Sequence, residues 1–176
     1  VFNITEDKEH NLLIASWKGF YKYNVALNKF CHYNDAKLMI HPHSKVVIQD
    51  TKGRVWGGCE GEGGATGGIS LLTPIKNTDG FRLVKHFLHS ENKNSISDNR
   101  INCIYEDKSG IIWIGNGNGL DKYDPLHDHF SNLSTNNQFP KSPVVAILED
   151  NKGNLWISHK MGISRLNKKS LKVRTY

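Results

Sequence analysis

Two His-x-His pairs, His41-Pro42-His43 and His127-Asp128-His129, carry the residue types best suited to hold a metal ion. A zinc-type site needs three or four such donors. No third ligand is evident beside either pair, so both read as turn histidines and no metal is expected. Gly61-Glu62-Gly63-Gly64 with Gly67-Gly68 has the composition of a phosphate-cradling loop. It lacks the following Lys-Ser/Thr and no helix is expected after it, so it reads as a glycine-rich surface loop. Adjacent carboxylates at Glu6-Asp7, Glu106-Asp107 and Glu149-Asp150 suggest acid–base work. Neighbouring side chains at a strand end point apart, and recurrence of the pair argues for turn structure over catalysis. No Ser-His-Asp or Cys-His set has supporting context. No catalytic residue and no cofactor are therefore expected.

The elements that would position these residues are repeats. Asp7, Asp50, Asp107 and Asp150 each precede, by six residues, a large apolar residue: Leu13, Trp56, Trp113 and Trp156. Six residues further lies Gly19, Gly119 or Gly162; in the second copy Gly68 follows after six extra residues. The Asp spacings are 43, 57 and 43. A repeat of this length that reads as short strands marks a propeller blade. In the third copy Ile101–Tyr105, Ile111–Gly115 and Gly119–Tyr123 read as strands, and Phe130 opens a weaker fourth. Between them lie the turn Glu106–Gly110, in which Asp bonds local amides, and the tight loop Asn116-Gly117-Asn118. The expected fold is thus all-β: about four blades of four antiparallel strands, at 1–43, 44–100, 101–143 and 144–176. Trp56, Trp113 and Trp156 are expected as wedges between blades, and Asp7, Asp50, Asp107 and Asp150 as turn residues.

Bulk properties bound the function. There are 23 Lys and Arg against 17 Asp and Glu, a net charge of +6. That balance reads as a mildly basic surface or as attraction to an anionic ligand such as a sulfated or uronic sugar. No Lys/Arg block or binding motif points to nucleic acid. No run of 18 apolar residues is present and no start resembles a signal peptide. Val1 already falls in a strand pattern, which reads as a segment of a longer chain. Cys31, Cys59 and Cys103 have no metal-type spacing, and Cys103 reads as a small core residue.

The third copy reads Ile104-Tyr105-Glu106-Asp107, Gly110, Trp113-Ile114-Gly115, Gly119-Leu120 and Tyr123-Asp124-Pro125, preceded by Asn94-Ser95-Ile96-Ser97-Asp98-Asn99-Arg100-Ile101. Together with the other copies it closely resembles the two-component regulator propeller repeat. The resemblance covers essentially the whole chain and is strongest at 94–130 and 144–166. It implies a periplasmic sensor region of a Bacteroidetes-type hybrid two-component system, with a seven-bladed propeller of which this chain is roughly half. It further implies a membrane-anchored parent, a histidine kinase outside this chain, homodimerisation through the parent ectodomain, and oligosaccharides as ligands. The copies depart from the pattern at Leu13, at His10 (in the place of the turn Gly), at Gly57-Gly58-Cys59 with its insertion, and at Ser158-His159.

In a propeller one face collects the loops between second and third strands and those joining blades, and binding sites favour such loops. That face is expected to hold Ser16, Trp17, Lys18, Glu60, Glu62, Asn116, Asn118, His159 and Lys160, joined by His41, His43, Asn99, Arg100 and Lys141. Trp17, Lys18, Arg100, Asn116, Asn118, His159 and Lys160 are the ligand-binding candidates. Trp17 offers a sugar-stacking face, and Arg100 a bidentate partner for a uronate or sulfate. The leading expectation is a sensor segment that binds an oligosaccharide without transforming it. The alternative is a protein-interaction propeller; a propeller-fold lyase or glycosidase would need a carboxylate pair or Tyr/His/Arg cluster confined to one or two blades.

Overall fold

The computed structural model describes residues 1–35, 37–61, 66–134 and 139–176. The chain is all-β: sixteen strands in four antiparallel four-stranded sheets, with no helix among the described residues. By contacts it divides into two compact units, 1–88 with 99–101, and 89–98 with 102–176.

The first unit holds two sheets. One is β1 (Asn3–Glu6), β2 (Leu12–Ser16), β3 (Gly19–Asn24) and β4 (Lys29–Tyr33); the other is β5 (Ser44–Gln49), β6 (Val55–Cys59), β7 (Gly68–Pro74) and β8 (Phe81–Phe87). The buried core joining them contains Leu13, Ala15 and Phe20 from one sheet and Val47, Val55, Leu72 and Phe81 from the other, with Met39 from the connection. The second unit repeats the plan with β9 (Ile101–Glu106), β10 (Ile112–Asn116), β11 (Gly119–Asp124) and β12 (His129–Asn132), then β13 (Val144–Glu149), β14 (Asn154–His159), β15 (Gly162–Asn167) and β16 (Val173–Thr175). Its core places Trp113 and Leu120 against Val144, Ile147, Leu155, Ile157 and Leu166. Leu13 and Trp113 thus fill matching places. Trp56 is fully buried and stacked on Phe87, with ring centres 6.0 Å apart, while Trp156 is only half-buried and stacks on Tyr176 at 5.8 Å.

The turn chemistry explains the fixed Asp-to-Trp spacing. One carboxylate oxygen of Asp107 accepts the amides of Ser109 (2.8 Å) and Ile111 (3.1 Å); the other accepts the indole N–H of Trp113 at 2.9 Å. Asp50 with Trp56 and Asp150 with Trp156 repeat this bond, each at 2.9 Å. The aspartate therefore ties the first turn of the blade to its largest core side chain. In the first copy Leu13 has no N–H to give. Asp7 instead accepts from the Asn11 side chain (3.2 Å) and faces the buried Lys22 ammonium at 3.5 Å. The turn ends in the left-handed region: Gly53, Gly110 and Gly153 have φ near 80°, and His10 takes φ 62° in the glycine's place, paired with Glu6. A left-handed φ is unfavourable for a residue with a Cβ.

The position two residues after the Trp is always small: Ala15, Gly58, Gly115 and Ser158. A Cβ on Gly115 would lie 2.4 Å from the Cys103 sulfur and 2.5 Å from a Val144 methyl. Close approach of the next sheet's first strand leaves no room for a larger residue. Burial pushes the Cys59 and Cys103 thiols up to about 12, which leaves them as inert core residues.

Candidate functional site

Strands β2 and β3 are joined by a two-residue turn, with Ser16 paired to Gly19. The Ser16 hydroxyl accepts the Lys18 amide (3.2 Å) and donates to the Gly19 carbonyl (3.0 Å). This clamp carries Trp17 to the hairpin tip, where the indole is 59% exposed. The ring lies edge-on to His43 at 4.5 Å and tilted against Phe2 at 5.2 Å. Strand β5 carries a bulge between Ser44 and Val46. A bulge re-aims the side chain of its extra residue. Lys45 is that residue; its ammonium stands 4.8 Å from the centre of the Phe2 ring and 2.8 Å from the Glu60 carboxylate. Phe2, Trp17, His43, Lys45, Glu60 and Gly61 together line a cleft of roughly 260 Å³.

An aromatic wall beside an ion pair at the mouth of a loop cluster suits a polyhydroxylated ring: indole against the C–H face, charged groups toward hydroxyls or an acid group. The repeat supplies its own control. Adding 100 to each number moves from the first unit to the matching place in the second. Phe2, Trp17, His43, Lys45 and Glu60 become Asn102, Gly117, Pro143, Val145 and Lys160. The scaffold therefore forms without any of these five side chains.

The other candidates fall elsewhere. Lys18 and Arg100 are exposed but do not line the cleft. Asn116 is fully buried, against the expectation of a ligand contact. Its amide donates to Asp121 (2.7 Å) and exchanges bonds with the Ser97 hydroxyl. Asp121 also accepts from the Ser97 amide (2.8 Å) and the Asn132 side chain (2.7 Å). Burial pushes its carboxyl up, against the lowering effect of these three donors and of the Ser97 hydroxyl at 3.0 Å. Asn118 is half-buried and fastens its loop to Asn116 and the Ser97 carbonyl. His159 is buried beneath Phe139; one ring nitrogen pairs with the Ser164 hydroxyl at 2.8 Å and the other accepts the Met161 amide at 3.3 Å. Both nitrogens are thus spent within the β14–β15 hairpin, and burial lowers its pKa. Lys160 is exposed. Glu62 lies outside the described residues. Phe2 and Lys45 were absent from the sequence candidates, although the offset of 100 would have exposed them as departures from the repeat.

A second cleft, in the second unit, is lined by Asp107, Glu149 and Lys168 among others. Lys168 bridges the two carboxylates, at 3.0 Å from Asp107 and 2.7 Å from Glu149. Burial alone would raise both acids, but hydrogen bonds outweigh it: from Trp113, Lys168 and two amides for Asp107, and from the Lys108 amide and Lys168 for Glu149. Both acids sit below their ordinary range. Burial lowers and the two carboxylates raise Lys168, with a net rise. Such a triad offers no proton donor or acceptor near neutral pH.

The family model of the two component regulator propeller matches residues 95–118 and 138–160. These two segments are two-component regulator propeller repeats. No curated protein matches it. Among solved structures it is similar to the extracellular domain of an assigned hybrid two component system of B. thetaiotaomicron, with 24% identity and a TM-score of 0.76, over 99% of this chain and 21% of that one. A second such extracellular domain from the same organism gives 23% identity and a TM-score of 0.78, over 99% of this chain and 24% of that one. The propeller chain thus spans a fifth to a quarter of the length of these domains. Catalytically inactive virginiamycin B lyase of Staphylococcus aureus is similar at 13% identity and a TM-score of 0.67, over 99% of this chain and 54% of that one. Identities this low carry the propeller fold and no activity.

Proposed function

We propose that this chain is a ligand-sensing segment of a hybrid two-component sensor, and that it binds a glycan-derived oligosaccharide in the Trp17 cleft without transforming it. The observation that carries the reading is the aromatic and charged lining of Phe2, Trp17, His43, Lys45 and Glu60, set on a repeat that folds elsewhere without those side chains. The propeller repeats and the likeness to extracellular domains of hybrid two-component systems support a sensor role and a periplasmic setting. In this reading further blades complete the propeller, the parent is membrane-anchored and dimerises through its ectodomain, and the kinase lies outside the chain. The ligand then acts through differential affinity for two receptor states. Locking of Asp107 and Glu149 by Lys168 favours binding over lyase or glycosidase chemistry.

A second reading, a protein-interaction propeller, is favoured by Val145 and Met161. These apolar side chains, at the bulge of β13 and in the β14–β15 turn, are 62% and 68% exposed. Calorimetric titration of the ectodomain containing this chain with neutral and anionic oligosaccharides separates the two. Saturable binding to one sugar class is expected, weakened roughly tenfold or more, about 1.4 kcal/mol, by Trp17→Ala. Lys45→Ala should selectively weaken anionic sugars, and Arg100→Ala, outside the cleft, should leave binding unchanged. Binding that survives Trp17→Ala removes the site from this cleft; no binding to any sugar favours the interaction propeller.

A further inference from the structure

The β11–β12 hairpin brings together three donors of the kind that hold a transition metal. Asp124 and His129 are directly paired across the strands, and His127 lies in the turn between them. One ligand atom from each lies within 4.8 Å of the others. The third donor that neither His-x-His pair shows in sequence is therefore Asp124. It stands three residues before His127 and reaches it only because the chain turns back.

We propose that Asp124, His127 and His129 form a binding site for a divalent transition-metal ion of the zinc, cobalt or nickel class. One oxygen of Asp124 is occupied by the Leu126 amide at 2.8 Å, and the other faces Nδ1 of His127 at 2.8 Å. The His127 and His129 rings lie 5.6 Å apart at an angle of 34°. Two imidazoles and one carboxylate are the donor set of zinc-type ions and leave coordination positions open for water or an external ligand. Calcium and magnesium would need more oxygen donors than the three residues supply.

The hairpin does not need these donors to form. In the first unit Tyr23, Asn28 and Phe30 stand where Tyr123, Asp128 and Phe130 stand here. The Tyr23 hydroxyl bonds the Asn28 side chain at 2.6 Å and the Tyr123 hydroxyl bonds Asp128 at 2.8 Å. Asn28 and Asp128 both take a left-handed φ, 50° and 53°. The Asn24 side chain likewise accepts an amide of its own turn, that of Leu27, as Asp124 accepts that of Leu126, one position earlier in the turn. The same turn is thus built twice. At the three donor places the first unit carries Asn24, Leu27 and Lys29, and the last hairpin Asn167, Ser170 and Lys172. Among the described residues this is the one such donor cluster, and it shares no residue with the Trp17 cleft.

The test is calorimetric titration of the EDTA-treated, dialysed chain with zinc chloride, paired with the visible spectrum on adding cobalt(II). One equivalent of zinc and ligand-field bands from bound cobalt are expected. His129→Ala and His127→Ala should each weaken zinc by at least about tenfold, the scale on which a lost metal-site partner is felt. His41→Ala with His43→Ala should change nothing. The triple variant Asp124→Asn, His127→Leu, His129→Lys reproduces the first unit's hairpin, so it should keep the melting temperature of the metal-free protein while losing the site. Absence of zinc binding, or zinc binding that survives the triple variant, overturns the proposal.

Discussion

Replacing Trp113 tests the physical reason for the repeat. Its side chain is 1% exposed, sits in the core with Val144, Ile147 and Leu155 of the neighbouring sheet, and donates to Asp107 at 2.9 Å. Truncating a buried Trp to Ala costs about 3–5 kcal/mol through lost apolar burial and the cavity left behind. At roughly 2–4 °C per kcal/mol for a domain of this size, Trp113→Ala should lower Tm by about 6–20 °C. Trp113→Phe keeps an aromatic ring but removes the N–H. A hydrogen bond to a charged group is worth about 1.5–3 kcal/mol, so this variant should fall between wild type and Trp113→Ala. Asp107 keeps Lys168 and two backbone amides in either case, which limits the penalty of leaving it short of one donor. A double-mutant cycle of Trp113→Phe with Asp107→Ala isolates the bond, with a coupling of about 1–2 kcal/mol expected. Urea unfolding at pH 7 reads the four proteins of the cycle and Trp113→Ala. Trp156, half-buried in the same role, should cost less than Trp113 when cut to Ala. A loss below about 1 kcal/mol for Trp113→Ala would refute the packing account; zero coupling would refute the role given to the Asp–Trp bond.

Two further perturbations probe the same seam. Lys168→Met leaves Asp107 and Glu149 facing each other without their cation, and should lower stability by about 2 kcal/mol at pH 7. Because the folded pKa values of Asp107 and Glu149 are depressed, their contribution is complete above the ordinary carboxylate range and is lost as pH falls through the folded values. Lys168 is raised, so its share is complete below the ordinary lysine value and lost only as pH climbs past the folded one. Urea midpoints of wild type and Lys168→Met should therefore differ at pH 7 and converge as pH falls below the folded values of the two acids; a gap that persists once both are protonated would assign the loss to packing. Gly115→Val forces atoms into Cys103 and Val144 and should cost about 1–3 kcal/mol by overpacking; an unchanged melt would show that the two sheets can part there freely.

The strands were legible because a half-buried strand must alternate and a turn must use Asp and Gly. Third-copy strands expected at Ile101–Tyr105, Ile111–Gly115 and Gly119–Tyr123 lie within one residue, at each end, of β9, β10 and β11. The candidate site was legible only in part. Trp17 stood out because it broke the register of the other tryptophans. Asn116 and His159 looked like free loop groups, yet the loop folds their side chains inward to satisfy Asp121 and Ser164. A polar residue at a tight turn reads the same in sequence whether it faces solvent or replaces a missing backbone partner.

By itself the sequence determined the repeat, its phase, the all-β class and the Asp and Trp positions, since these rest on local periodicity and on bonds spanning six residues or fewer. Tertiary structure alone decided which side chains meet. Phe2, Trp17, His43, Lys45 and Glu60 converge because sheets pack face to face and a bulge turns Lys45 outward. Asp124 joins His127 and His129 because antiparallel pairing folds one strand end over the next. Such convergence depends on register and on which loop each side chain leaves, and neither is written in the spacing of residues along one strand.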